Sequence, residues 1–149
     1  MVGSVGTALA DDRDLSAAVA IAESCLVNDQ QPADCVRALY RSCEEGSMGE
    51  VLGAGRGWCD AGVRSATTSV LSRVGVRFRN ACLTGEAEYE LFVATSRTFR
   101  NLAQSECALV RYQNRQSSGS GEAIRSHCLA TLSLKRAVAL MDRGELCSR

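Results

Sequence analysis

The sequence predicts an all-α protein, a disulfide-stapled bundle of about five helices that closes with a long antiparallel hairpin. Three observations lead to this fold class. Ala, Leu, Arg, Glu and Ser dominate, with a single proline and few aromatic residues, which is a composition that favours helices. Apolar residues recur at spacings of three and four over several long stretches. Finally, the eight cysteines are even in number and spread along the chain.

The cysteines predict disulfide bonds rather than a metal site. They are Cys25, Cys35, Cys43, Cys59, Cys82, Cys107, Cys128 and Cys147. None forms a C-x-x-C pair, whereas zinc sites usually bring their ligands in close pairs. Reduced structural thiols and metal ligands are the alternatives. Because disulfides persist in oxidising compartments, we expect a periplasmic or secreted protein.

The length and charge of the chain limit the function classes and the number of domains to consider. The chain has 149 residues, of which 17 are basic and 17 acidic, so charge gives no reason to expect binding to nucleic acid. No apolar run approaches the length of a membrane span. Residues 1–12 are expected to be the residual end of a signal peptide, with small residues before Asp11, or a disordered tail. Residues 13–149 are expected to form one domain.

The first three predicted helices lie before residue 80. The first covers residues 13–28, the second runs from Pro32 to Cys43, and a glycine-rich loop over 45–57 separates it from the third. Pro32 suits a first helical turn, where its missing N–H costs nothing. The third helix begins near Trp58, and its apolar stripe consists of Cys59, Val63, Ala66, Val70 and Val74. At its end, Val74, Val76 and Phe78 fit a strand equally well.

The last two predicted helices form the hairpin. The fourth runs from Glu86 to about Tyr112, and its face of large apolar residues is expected to be core; that face is Tyr89, Phe92, Phe99, Leu102 and Leu109. The Gly/Ser-rich segment 117–121 ends this helix. The fifth covers 122–142, with Gly144 expected to end it, and its apolar residues are Ile124, Cys128, Leu134, Val138 and Met141.

Hairpin geometry reduces the number of cysteine pairings to consider. Eight cysteines allow 105 connectivities, but an antiparallel hairpin brings together residues at similar distances from its turn. Applied to each predicted turn, this rule gives Cys25–Cys35, Cys43–Cys59, Cys82–Cys147 and Cys107–Cys128.

Few side chains suit catalysis, and we expect no enzyme. His127 is the single histidine and is expected to be an exposed residue in the first turn of the last helix. The segment Gly53–Gly57 lacks the Lys-Ser/Thr ending of a phosphate loop. We therefore expect no catalytic residue, no bound cofactor and no metal ion.

The C-terminal half carries a recognisable pattern. An aromatic residue stands eight positions before a cysteine, a Gly/Ser-rich loop and a second cysteine follow, and Ser-x-x-Arg-x-x-x-Leu comes after them. The residues are Phe99, Cys107, Ser118–Gly121, Cys128, Ser133, Arg136 and Leu140. This pattern resembles the LprI-type lysozyme inhibitor domain, a family of small exported helical proteins. Cys43 and Cys59 look like that family's first cysteine pair, and Cys25 and Cys35 like the extra pair of longer members. Ala103 and Gln104 stand where the family commonly has Arg-Asp.

The resemblance implies a protein that binds and blocks a glycan hydrolase such as a lysozyme. A loop that plugs a cleft lined by carboxylates needs hydrogen-bond donors and positive charge. The predicted binding residues lie between the last two helices: Arg111, Tyr112, Asn114, Arg115, Gln116, Ser117 and Ser118. Two alternatives remain open, namely a periplasmic immunity protein against a secreted toxin and a non-catalytic envelope structural or assembly factor.

Overall fold

The computed structural model of the protein describes residues 5–45, 56–116 and 121–147. These ranges consist of helices and short turns without a strand, so the predicted all-α class is confirmed. The helices are α1 (Val5–Val27), α2 (Pro32–Glu45), α3 (Arg56–Cys82), α4 (Glu86–Gln113) and α5 (Gly121–Cys147). Most of the predicted glycine-rich loop, including Gly53 to Gly55, lies outside the described residues.

The core forms where α3 packs along α5. All five residues of the predicted α3 stripe, from Cys59 to Val74, are buried. The facing stripe of α5 is built from small residues and leucines: Ser126, Ala130, Leu134, Ala137 and Leu140. Small side chains along both helices let the two axes approach closely, which completes the packing without large aromatic residues.

α1 and α2 cover one side of this central pair. Val19 and Ala22 of α1 are buried, as are Val36 and Leu39 of α2. α2 begins at Pro32 as predicted. The turn before it places Asp29 at a φ of 55°, a left-handed conformation that Asp tolerates better than most residues because its short polar side chain forms local hydrogen bonds.

Two predicted helix limits were wrong, and the structure decides one alternative that the sequence left open. α1 begins at Val5, within the 1–12 segment that was expected to be a signal-peptide end or a tail. α5 passes Gly144 and continues to Cys147, because one glycine weakens a helix by only about 1 kcal/mol. The suggested strand at Val74–Phe78 belongs to α3, where Val74 is buried and Phe78 partly buried one turn later.

α4 lies at the edge of the bundle, packed mainly on α5. The residues it turns inward share only Phe92 and Phe99 with the predicted core face; they are Phe92, Ser96, Phe99, Ala103, Cys107 and Val110, of which Ala103 and Cys107 are buried. The prediction that the whole large apolar face is core was wrong, because Tyr89, Leu102 and Leu109 are exposed. The ring of Phe92 on α4 packs against the ring of Phe78 on α3, with the two ring centroids 5.5 Å apart.

Four disulfides connect the helices, and they are the four pairs that the hairpin geometry predicts. Cys25–Cys35 joins α1 to α2, and Cys43–Cys59 joins α2 to α3. Cys82–Cys147 joins α3 to α5, and Cys107–Cys128 joins α4 to α5. Every helix is therefore covalently attached to at least one packing neighbour.

We expect the Cys82–Cys147 bridge to contribute about 2–4 kcal/mol to the free energy of unfolding, because it closes the longest loop in the unfolded chain. A Cys82→Ala/Cys147→Ala variant should show this loss in urea unfolding monitored by circular dichroism. Mass spectrometry of a non-reduced digest of the parent should return the four pairs. Recovery of a different pairing, or of several free thiols, would contradict the structure.

Candidate functional site

The backbone at the end of α4 is held by capping hydrogen bonds. Asn114 donates from its backbone N–H to the carbonyl of Val110 at 3.1 Å, and its side-chain amide donates to the same oxygen at 2.8 Å. The N–H of Arg115 donates to the carbonyl of Tyr112 at 3.2 Å. These bonds satisfy carbonyls that a helix end would otherwise leave without partners. Residues 111–116 are named here the α4–α5 turn.

Arg115 folds back over Tyr112 in this turn. Its guanidinium carbon lies 4.3 Å from the centroid of the Tyr112 ring, and its Nη1 donates to the carbonyl oxygen of Tyr112 at 3.1 Å. The cation over the ring face is an attractive arrangement. Both residues are exposed, so the turn presents a positive charge on an aromatic platform to the solvent.

Arg111 has a different role, since its side chain lies against the start of α5. A Cβ atom placed on Gly121 would stand 2.8 Å from the Arg111 Nε atom and 3.5 Å from its Cγ atom. A side chain at position 121 would therefore require the Arg111 side chain to move. Arg111 therefore helps to close the hairpin as well as adding positive charge.

The turn is cationic because acidic residues are missing from its segment. Residues 107–121 contain two arginines and no Asp or Glu. The nearest carboxylate along α5 is Glu122, which pairs with Arg64 at 3.2 Å and with Arg125 at 3.8 Å. Its carboxylate is thus paired with arginines that lie outside the α4–α5 turn.

Covalent and polar contacts anchor that base. The Cys107–Cys128 bridge joins α4 to α5 with its Cα atoms 5.5 Å apart, and Cys107 is fully buried. Arg125 of α5 donates to the side-chain oxygen of Gln104 at 2.5 Å, which adds a second cross-link. Exposed polar pairs of this kind stabilise little, so the disulfide is the main link between the two helices at this level.

The structure brings together most of the predicted binding residues. Arg111, Tyr112, Asn114, Arg115 and Gln116 all lie in the α4–α5 turn and are exposed. Ser117 and Ser118 lie outside the described residues. The contacts of Arg115 with Tyr112 and of Arg111 with Gly121 cannot be predicted from the sequence, because both depend on the local backbone path.

A second polar cluster links α2, α3 and α5. The phenol of Tyr40 donates to Asp60 Oδ1 at 2.7 Å, and Asp60 is only 2% exposed. His127 stacks on Tyr40 with ring centroids 5.8 Å apart and planes inclined by 12°. The expectation of an exposed first-turn histidine was wrong, because His127 is the seventh residue of α5 and faces α2. The buried position of Asp60 was not predicted, because a single Asp next to a cysteine matches no sequence pattern for a buried hydrogen-bond acceptor.

Burial shifts the titration of this cluster. Burial, followed by the hydrogen bond to Asp60, raises the pKa of Tyr40 above its usual range. Burial, followed by the nearby charge of Arg37, lowers the pKa of His127. At neutral pH the phenol is thus a hydrogen-bond donor and the imidazole is neutral. The Oγ atom of Ser126, next in sequence to His127, is buried without a hydrogen-bond partner in the described structure.

The contacts of this cluster connect α2 with α3 and α5. Within the described ranges, no group of three His, Cys, Asp or Glu side chains is placed to bind a metal ion.

In the same ranges, no helix combines the length and the apolar character needed to cross a membrane.

Comparisons with known proteins give no relative for this chain. No protein-family model matches it, and no curated protein and no solved structure is significantly similar.

We expect Tyr40→Phe to lower the free energy of unfolding by about 1–3 kcal/mol, because it leaves the buried Asp60 carboxylate without its donor. Chemical denaturation of the parent and variant measures this difference. The matched control is Tyr40→Phe in an Asp60→Asn background, where the acceptor is uncharged and the loss should be smaller. Equal losses in both backgrounds would show that the hydrogen bond to a buried charge is not what Tyr40 contributes.

His127 should make stability depend on pH. Because its pKa is lower in the folded than in the unfolded state, the unfolded chain binds the proton more readily. The contribution of neutral His127 to the free energy of unfolding is therefore fully present above a pH of about 6.5, and it is lost as the pH falls below that value. Melting temperatures measured from about pH 7.5 to 5.5 should decrease for the parent, and His127→Gln should flatten the dependence. An identical slope in both proteins would contradict this assignment.

Proposed function

We propose that this protein is an exported binding protein that blocks the cleft of a glycan hydrolase of the lysozyme type, and that the α4–α5 turn enters the cleft. The observation that carries the proposal is the exposed Arg115 held over Tyr112, on a turn without acidic residues whose base is stapled by Cys107–Cys128.

The chemistry of the turn suits such a cleft. Glycan hydrolases of this type place two acidic residues on either side of the bond they cleave. A guanidinium donates paired hydrogen bonds to a carboxylate, and its charge complements that site. Tyr112 adds a rigid aromatic surface that can pack where a sugar ring would lie.

The rigid base of the hairpin supports binding by lowering its entropic cost. The turn is capped by Asn114, and Arg115 is already folded onto the carbonyl of Tyr112 before any partner is bound. Association costs less when side chains are ordered in advance. The Cys107–Cys128 bridge and the Arg125–Gln104 hydrogen bond keep α4 and α5 from separating under the turn.

The disulfides support the proposed compartment. Four bridges join all five helices of the described structure, and such bonds indicate an oxidising environment. The periplasm and the cell exterior are where a lysozyme meets the bacterial wall. The LprI-like cysteine pattern implies the same location and the same class of target.

Arg115→Glu should weaken inhibition of a susceptible lysozyme at least about tenfold, because it places a negative charge against the catalytic carboxylates. The assay measures hydrolysis of cell-wall substrate by several lysozyme types with increasing amounts of the oxidised protein. Thermal stability should change little, since an exposed turn charge typically alters folding by less than about 0.5 kcal/mol.

The matched control is Arg97→Glu, an exposed arginine in the middle of α4 and remote from the turn. It carries the same charge reversal and should inhibit like the parent. Lack of inhibition by the parent against every lysozyme type would contradict the proposed function. Equal weakening by the two variants would contradict the role of the turn. Envelope capture of a secreted toxin instead of a hydrolase would favour the immunity-protein alternative.

A further inference from the structure

A groove opens between α3 and α5 near the C-terminal ends of both helices. The two helices run in the same direction, because Arg64 pairs with Glu122 near their starts and Cys82 is bonded to Cys147 at their ends. The groove has a volume of about 470 Å³, which lies in the range of small-molecule sites. We name it the α3–α5 groove; its apolar lining consists of Val74, Phe78, Ala81, Leu140, Met141 and Gly144.

The floor of the groove is continuous with the core of the bundle. Val74 and Leu140 are buried, and Phe78 and Met141 are partly buried against the same core. From Val74 to Ala81 the wall on α3 is about 10 Å long. A narrow apolar surface of this length suits an alkyl chain, which is drawn out of water in proportion to the area it covers.

Gly144 leaves space on the α5 wall of the groove. A Cβ atom placed on Gly144 would meet no atom within 4 Å, apart from its chain neighbours and the backbone of its own helix. Glycine is an unfavourable residue inside a helix, and a larger residue would fit here without a clash. The space beside the apolar lining is therefore open to a ligand, and a larger side chain at this position would fill it.

Two opposite charges stand at the rim of the groove. Arg77 lies on the α3 wall and Glu145 on the α5 wall, and both residues are exposed. Within the part of the chain that the structure describes, neither residue forms an ion pair. The guanidinium can therefore bind an anionic group of a ligand, and the carboxylate a cationic group of the same ligand.

A disulfide holds the two walls together at one end of the groove. Cys82 follows Ala81 directly, and its bond to Cys147 joins the helices with their Cα atoms 5.3 Å apart. A covalent link one residue beyond the lining limits the separation of the walls. The groove is thus formed before a ligand enters, which lowers the cost of binding.

We propose that the α3–α5 groove binds a single-chain amphiphile with a zwitterionic phosphate headgroup, such as a lysophospholipid. The alkyl chain lies along the apolar floor, Arg77 binds the phosphate, and the ammonium group faces Glu145. A headgroup with one charge would meet an opposite charge on one wall and a like charge on the other, so the zwitterion is preferred. The proposal is independent of the proposed function, because Met141 lies about 30 Å along α5 from Gly121 at the α4–α5 turn.

Isothermal titration calorimetry with decylphosphocholine, kept below the concentration at which it forms micelles, tests the proposal. The oxidised parent should bind one molecule in a saturable manner, and phosphocholine without the chain should not bind. Gly144→Leu should raise the dissociation constant at least about tenfold, because the leucine occupies the space of the chain. The matched control is Gly62→Leu on α3, where an added Cβ also meets nothing within 4 Å; it should bind like the parent.

The charges are tested with decyl phosphate and decyltrimethylammonium, which carry the same chain and one charge each. The parent should prefer decylphosphocholine to both. Arg77→Ala should abolish the preference over decyltrimethylammonium, and Glu145→Ala the preference over decyl phosphate, because each variant removes the partner of one headgroup charge. Both residues are exposed, so circular dichroism should show an unchanged fold.

Four results would overturn the proposal. The first is a parent that shows no saturable binding of decylphosphocholine, and the second is binding that Gly144→Leu leaves intact. The third is an equal loss in the Gly62→Leu protein, which would place the contact elsewhere. The fourth is a headgroup preference that persists in both the Arg77→Ala and the Glu145→Ala proteins.

Discussion

The close approach of α3 and α5 is the constraint on which the rest of the structure depends. Ala66 and Val70 on one helix, and Ala130 and Ala137 on the other, are buried completely or nearly so. Small side chains give a dense contact but remove little apolar surface from water for each residue ordered. The covalent bridges offset this deficit, since each reduces the conformational freedom of the unfolded chain. The fold therefore combines a narrow core with a high density of disulfides.

How much of this could be read from the sequence differs between the helices. The α3 stripe was predicted correctly because α1, α2 and α5 all pack against α3, so each residue on its apolar face contacts a neighbouring helix. The same reasoning failed for α4, where Leu102 and Leu109 share a broad apolar face with Phe92 and Phe99. Periodicity shows which residues lie on one side of a helix, but the number of neighbouring helices decides how much of that side is covered. Chain connectivity alone did not place α4 at the edge.

The position of the α4–α5 turn was predicted from the sequence, and the contacts within the turn were not. A polar segment between two helical stretches, flanked by Cys107 and Cys128, was enough to locate the turn. The placement of Arg115 over Tyr112 and that of Arg111 beside Gly121 follow the backbone path after α4, which no sequence pattern specifies. The Tyr40–Asp60 hydrogen bond could not be predicted from the sequence for a different reason. It joins residues 20 positions apart on different helices, and no local sequence pattern predicts such a pair.

The arrangement of the disulfide bridges determines what happens when a protease cleaves one peptide bond of the protein. Cys25–Cys35 spans the connection between α1 and α2, Cys43–Cys59 spans that between α2 and α3, and Cys107–Cys128 spans the one between α4 and α5. The short link from α3 to α4 lies within the loop closed by Cys82–Cys147. Hydrolysis of one peptide bond in any of these connections leaves two fragments still joined through sulfur. A nicked molecule would keep its helices together and gain only the mass of one water, and the cut would show only after reduction.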